Sequence, residues 1–134
     1  MADAAAVGIV LISHSRALAE GAAEVAAQVS GAAVAIVGVG GTDDGRLGTS
    51  IDALARAVEK VAAGTGVVVI PDLGSSVLTT RSYLADTDAL PDDVAMVDTA
   101  FVEGAVAAAV AAGAGLSLTD VVVAAEEARH VRKL

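Results

Sequence analysis

Apolar residues arrive along this 134-residue chain as short unbroken runs and as helical stripes, and the two kinds alternate. Val7-Gly8-Ile9-Val10-Leu11-Ile12 is a continuous run rich in β-branched residues, the pattern of a strand buried on both faces. Ser13-His14-Ser15 interrupts it. Leu18, Ala22, Val25 and Val29 then recur every three or four residues, with Glu20, Glu24 and Gln28 off that stripe. The spacing predicts a helix capped by Ser15 and stopped at Gly31, with the Leu18, Ala22, Val25 and Val29 stripe against the core.

The unit repeats. Residues 34–37 predict a second strand, and a glycine-rich loop over 38–48 follows. Thr49 or Ser50 can cap the next helix, which carries Ile51, Leu54, Val58 and Val61 on one face. Val67-Val68-Val69-Ile70 is a third strand, closed by Pro71-Asp72-Leu73-Gly74. Ser75 and Ser76 open a helix with Val77, Leu78, Tyr83 and Leu84, and residues 94–97 predict a short fourth strand. Ala-rich helices are expected over 101–112 and 119–129.

Strands alternating with helices through short loops predict an open, mainly parallel α/β sheet with helices on both faces, as one domain over residues 1–134, and 2-1-3-4 is taken as its strand order. Such a sheet takes its ligand at the carboxyl ends of the strands, where the strand order reverses. The places to look are therefore 13–15, 38–50, 72–76 and 98–104.

Composition narrows the chemistry. The chain is 55% hydrophobic but only 1% aromatic, with one Tyr, one Phe and no Trp, so a base-stacking or carbohydrate-stacking surface is excluded. Without Cys there is no thiol nucleophile, iron–sulfur site or zinc knuckle. Eight Lys and Arg against seventeen Asp and Glu give a net charge of −9, which argues against nucleic acid or an anionic membrane as partner. The uncharged run 104–119 is shorter than the roughly 20 residues of a membrane span, and so is the run 25–42. Met1-Ala2-Asp3 carries an acid where a secretory signal carries base, so a cytoplasmic protein is expected.

His14 stands between the first strand and the first helix, beside the free N–H groups of the helix start, which favour an anion. Neutral imidazole is a nucleophile near physiological pH, and a phosphoryl group on its nitrogen would sit within reach of those N–H groups. A loop or helix-capping histidine without chemistry is the plainer alternative. Asp72 ends the third strand and, with order 2-1-3-4, faces His14 across the switch point. It either orients the imidazole, as a carboxylate does in a catalytic triad, or caps the following helix.

Gly48-Thr49-Ser50 opens a helix at the same edge and can offer N–H groups to an anion, although the loop before it is neither a P-loop nor a Rossmann fingerprint. Gly74-Ser75-Ser76 lacks the nucleophile elbow of serine hydrolases. His130 lies in a charged tail and is assigned no role. Asp43 and Asp44 read as a solvated turn, and no metal site is expected.

Gly8-Ile9-Val10-Leu11-Ile12-Ser13-His14-Ser15-Arg16-Ala17-Leu18-Ala19-Glu20-Gly21 resembles the N-terminal segment of the phosphotransferase subunit of PTS-dependent dihydroxyacetone kinase, a relative of the mannose-family enzyme IIA domains. Gly48-Thr49-Ser50, Asp72-Leu73-Gly74-Ser75-Ser76-Val77-Leu78 and Phe101-Val102-Glu103-Gly104-Ala105 agree in order and spacing. The resemblance implies an enzyme IIA-mannose-like fold, a homodimer, and a phosphotransferase role. In that role His14 accepts a phosphoryl group from the phosphocarrier protein HPr, oriented by Asp72. Ser15, Gly48, Thr49 and Ser75 are the candidate phosphate-binding residues.

The acceptor would be ADP on the kinase's nucleotide-binding subunit, and the ATP formed would phosphorylate dihydroxyacetone (glycerone) on the third subunit. ADP and magnesium thus belong to the partner, and no cofactor of its own is expected. Family members tend to carry an acid where this chain has Thr79-Thr80-Arg81. Some relatives fuse further phosphotransferase domains; with one domain here, HPr is expected as a separate protein.

Two alternatives stand beside this reading. One is an enzyme IIA component that serves a mannose-family sugar permease, and the other is a non-catalytic α/β regulatory module. On a chain of charge −9, any docking surface for a phosphorylated donor is expected to be locally less negative, with Arg16 and Arg46 as its candidate cations.

Overall fold

The computed structural model describes residues 5–134. Four strands, β1 (Gly8–Ser13), β2 (Ile36–Gly40), β3 (Val67–Pro71) and β4 (Val94–Met96), form one sheet. Its order is β2-β1-β3-β4, the expected one, and every pairing is parallel, as the alternation of runs and stripes predicts. Among the described residues the α-helices are five: α1 (Arg16–Ser30), α2 (Ile51–Val61), α3 (Ser75–Leu84), α4 (Phe101–Gly113) and α5 (Leu118–Glu127).

The period of two along the strands divides the core into two layers. Ile9 and Leu11 of β1, with Val68 and Ile70 of β3, face Ala22 and Ala26 of α1, Ala105, Ala108 and Ala109 of α4, and Val121 and Ala125 of α5. Val10 and Ile12, with Val67 and Val69, face Leu54, Ala57, Val58 and Val61 of α2 and Tyr83 of α3. Burial on both faces is why β1 and β3 read as unbroken apolar runs. Each fully buried Val or Ile contributes roughly 2 kcal/mol to holding the layers together. The connection from β1 to β2 runs over one face and that from β2 to β3 over the other, so the chain parts from β1 in opposite directions and leaves a crevice at the carboxyl ends of β1 and β3.

Helix α1 differs from its predicted orientation. Its inward residues are Ala19, Ala22 and Ala26, whereas Leu18, Val25 and Val29 are 45%, 48% and 51% exposed. The reason is closeness of packing. A Cβ on Gly38 would lie 2.3 Å from the Ala19 carbonyl oxygen, and one on Gly40 would lie 2.7 Å from the Ser15 backbone, so α1 lies directly on β2. At that separation only alanine fits between helix and sheet, and larger residues are turned outward. β2 accordingly falls at Ile36–Gly40, later than residues 34–37, with Val34 buried ahead of it. The last predicted helix is α5 followed by a 3-10 turn over Ala128–His130.

Candidate functional site

β1 and β3 are paired through Ile12 and Pro71, so the next residues of each strand emerge side by side at the sheet's carboxyl edge. Asp72 extends the ladder by one bond, its N–H donating to the Ile12 carbonyl at 3.0 Å. His14 steps off β1 next to it. The imidazole Nδ1 lies 3.2 Å from Asp72 Oδ1, and the His14 backbone N–H donates to Oδ2 at 3.3 Å. Their side chains are 28% and 9% exposed: the ring reaches the surface and the carboxylate lies beneath it.

The other ring nitrogen faces α3. Gly74, the residue ahead of that helix, has φ +51°, a conformation that favours glycine, and offers no side-chain cap. The turn it makes directs the Ser75 backbone N–H at His14 Nε2, 3.2 Å away. A backbone N–H can only donate, so Nε2 presents its lone pair and the ring proton sits on Nδ1, donated to Asp72. The imidazole is therefore held in one tautomer between β3 and the start of α3.

Asp72 is held ionised by its surroundings. Burial opposes the charge, but the hydroxyls of Ser76 and Ser13, each at 2.7 Å, and the N–H groups of Leu73 and His14 outweigh it and bring its carboxyl down to about 2. It does not cap α3 in the ordinary way: it accepts from Leu73 N–H at 2.7 Å, and the helix begins at Ser75.

The remaining sequence candidates gather around this pair. Ser15 caps α1, its hydroxyl accepting from Leu18 N–H, while its own N–H donates to Ser13 Oγ. Gly48 donates its N–H to the His14 carbonyl at 3.0 Å, so this group is engaged by backbone. Ser50, not Thr49, caps α2, accepting from Ala53 N–H. That leaves the Thr49 hydroxyl turned to α3, 2.6 Å from Thr79 Oγ1, 3.3 Å from the Ser75 carbonyl and 3.4 Å from Ser75 Oγ. Between α2 and α3 this chain thus sets hydroxyl against hydroxyl. Ser13, Ser76 and Thr79 belong to the site although the sequence does not single them out. A polar residue ending a buried strand and a serine four places after Asp72 are the signals it offers for the first two.

Beside the ring a cavity of about 290 Å³ is lined by His14, Arg16, Arg46 and Leu47 together with residues of the 40–45 loop. Both arginines sit where a local cation is expected, but each is neutralised by a neighbour. Arg16 pairs with Glu20 at 2.7 Å and Arg46 with Asp44 at 2.8 Å. Leu47 and Leu73, on the loops at either side of His14, are exposed apolar side chains. His130 is exposed beside Arg129, which pairs with Asp98. No helix among the described residues is long and apolar enough to cross a membrane.

Fold and site together define an open α/β domain that carries an acid-paired histidine at its switch point. The chain belongs to the EIIA-man family, described as the PTS system fructose IIA component, whose pattern matches residues 8–122. It is 37% identical over 106 residues to the phosphoryl donor subunit DhaM of PEP-dependent dihydroxyacetone kinase 2 from Listeria innocua serovar 6a, covering 78% of this chain and 84% of that one. It is 30% identical over 132 residues to the DhaM subunit of Providencia stuartii, covering 95% of this chain but 28% of that longer protein. A solved structure described as an unknown-function protein, EF1359, superposes with a TM-score of 0.80 at 29% identity, covering 91% of this chain and 94% of the other.

Proposed function

We propose that this chain is a phosphohistidine carrier, the phosphoryl donor subunit of a PEP-dependent dihydroxyacetone kinase, with His14 as the residue that is phosphorylated. The observation that carries the reading is the placement of His14 between Asp72 at Nδ1 and the Ser75 N–H at Nε2. The printed names of the DhaM relatives supply the acceptor system.

The chemistry derives from the tautomer. Nε2 attacks the phosphorus of a phosphorylated donor protein, for which we take HPr. An Nε2–P bond forms, the bond from phosphorus to the donor breaks, and its electron pair leaves with the donor. Nδ1 keeps its proton, and the positive charge that develops on the ring is offset by Asp72. In the second half, an oxygen of the ADP β-phosphate, held with magnesium on the nucleotide-binding subunit, attacks the same phosphorus. ATP forms and Nε2 regains its lone pair. The Ser75 N–H, released from Nε2 by the new bond, is placed to donate to a phosphoryl oxygen, with Thr49 and Ser75 hydroxyls close by.

Exposed Leu47 and Leu73 beside a histidine that reaches the surface suit docking of a protein rather than enclosure of a small substrate. Cytoplasmic location and a homodimer accord with the same reading.

The test is incubation with phosphorylated HPr. An acid-labile, base-stable label on the wild type and on His130→Ala but not on His14→Ala supports the assignment. Full labelling of His14→Ala overturns it. Adding ADP with the nucleotide-binding subunit should discharge the label. Discharge only by a sugar permease component would overturn the acceptor.

A further inference from the structure

Among the described residues, three polar side chains are fully buried: Ser13, Ser76 and Thr80. Two of them end on the same carboxylate. Ser13 Oγ donates to Asp72 Oδ2 at 2.7 Å and Ser76 Oγ to Asp72 Oδ1 at 2.7 Å. Thr80, the third, donates to the Ser76 carbonyl within α3.

We propose that Ser13 and Ser76 are positioning residues for phosphoryl transfer, two buried hydroxyls that keep Asp72 a pure acceptor and so keep the His14 proton on Nδ1 and the lone pair on Nε2. The inference rests on the reading of His14 as the phosphorylated residue and deepens it.

Each hydroxyl is itself oriented by backbone. Ser13 Oγ accepts from the Ser15 N–H at 3.0 Å, and Ser76 Oγ accepts from the Leu73 N–H at 3.2 Å. With a lone pair so occupied, each turns its proton elsewhere. For Ser13 the partner is Asp72. Ser76 has two acceptors in reach, Asp72 Oδ1 at 2.7 Å and the Leu73 carbonyl at 2.8 Å, and the charged one binds the proton more strongly.

Asp72 is then met by five donating groups: the two hydroxyls, the Leu73 and His14 backbone N–H groups, and His14 Nδ1–H. No neighbour asks it for a proton. Without the hydroxyls, two buried lone pairs lose their partners and the neutral acid becomes easier to form. A protonated Asp72 would find Nδ1 of His14 as its acceptor. The ring proton would then reside on Nε2, where it blocks attack.

The experiment compares Ser13→Ala and Ser76→Ala with the wild type, and with Thr80→Val as the buried hydroxyl that does not touch Asp72. The His14 tautomer is read by ¹⁵N NMR on protein labelled at histidine. The phosphorylation rate is read with phosphoramidate, a small phosphoryl donor that needs no protein docking. We expect both serine variants to lose the pure Nδ1–H tautomer and to be labelled about tenfold more slowly, the size expected for losing one hydrogen bond to a charged group. Thr80→Val keeps the wild-type tautomer and rate. Wild-type tautomer and rate in both serine variants, or an equal change in Thr80→Val, would overturn the proposal. Should the alanine variants not fold, Ser13→Cys and Ser76→Cys, close in shape but weak donors, are read in the same way. If His14 is not phosphorylated at all, labelling fails in every protein while the tautomer comparison still decides the role of the serines.

Discussion

The backbone N–H of Ser75 meets Nε2 of His14 at 3.2 Å, joining residues 61 positions apart. Because an N–H cannot accept, this contact selects the nucleophilic nitrogen, and Asp72 on the opposite side of the ring takes the proton that remains. In the proposed function, phosphoryl transfer through His14 depends on that polarity across a single imidazole.

Asp72→Asn separates charge from shape. The Asp72 carboxyl titrates at about 2 in the fold against an ordinary 3.8, so the charge stabilises the protein above pH 4 and that stabilisation disappears as the pH falls to about 2. Urea midpoints should show the wild type losing about 2 kcal/mol relative to Asp72→Asn over that interval. A difference independent of pH would contradict the hydrogen-bonded, ionised Asp72.

Gly74→Ala strikes the turn that aims Ser75. At φ +51° a side chain is strained, and its Cβ would lie 3.3 Å from His14 Nε2, in the space a phosphoryl group on that nitrogen would take in the proposed function. Stability should drop by about 1 kcal/mol in thermal or urea unfolding, and phosphorylation should be slowed well beyond what that loss explains. Wild-type labelling in Gly74→Ala would show that the phosphoryl group lies elsewhere.

Leu73→Asp places a charge on an exposed apolar side chain beside His14 without touching the ring. For transfer from phosphorylated HPr, KM should rise about tenfold with little change in kcat, the mark of a docking residue. Labelling by phosphoramidate should not change. Slowing of both reactions alike would remove Leu73 from the docking surface.

On α1 the fold makes a prediction opposite to the one its hydrophobic stripe invites. Ala26→Leu should destabilise by about 1–3 kcal/mol through overpacking of the core layer it shares with β1, β3 and α4. Val25→Ala, on the exposed side, should stay within about 0.5 kcal/mol of the wild type. The reverse ranking would contradict the helix orientation.

That helix shows where the sequence stops being legible. The strands of doubly buried type are visible in Val7–Ile12 and Val67–Ile70, because an apolar run bounded by loops has few other solutions. The inward face of α1 is not, since it depends on glycines of another strand, Gly38 and Gly40, which set the helix-to-sheet distance. Likewise His14 and Asp72 stand out as polar residues at strand ends. The two serines beneath Asp72 look like any serine until the register of β1 on β3 and the turn at Gly74 bring them together.

The most direct measurement is NMR of ¹⁵N-labelled protein after phosphorylation, which identifies the residue and nitrogen bonded to phosphorus. The predicted result is one phosphoryl group on His14 Nε2 with the proton retained on Nδ1. A phosphoryl group on Nδ1, or on any residue other than His14, would contradict it.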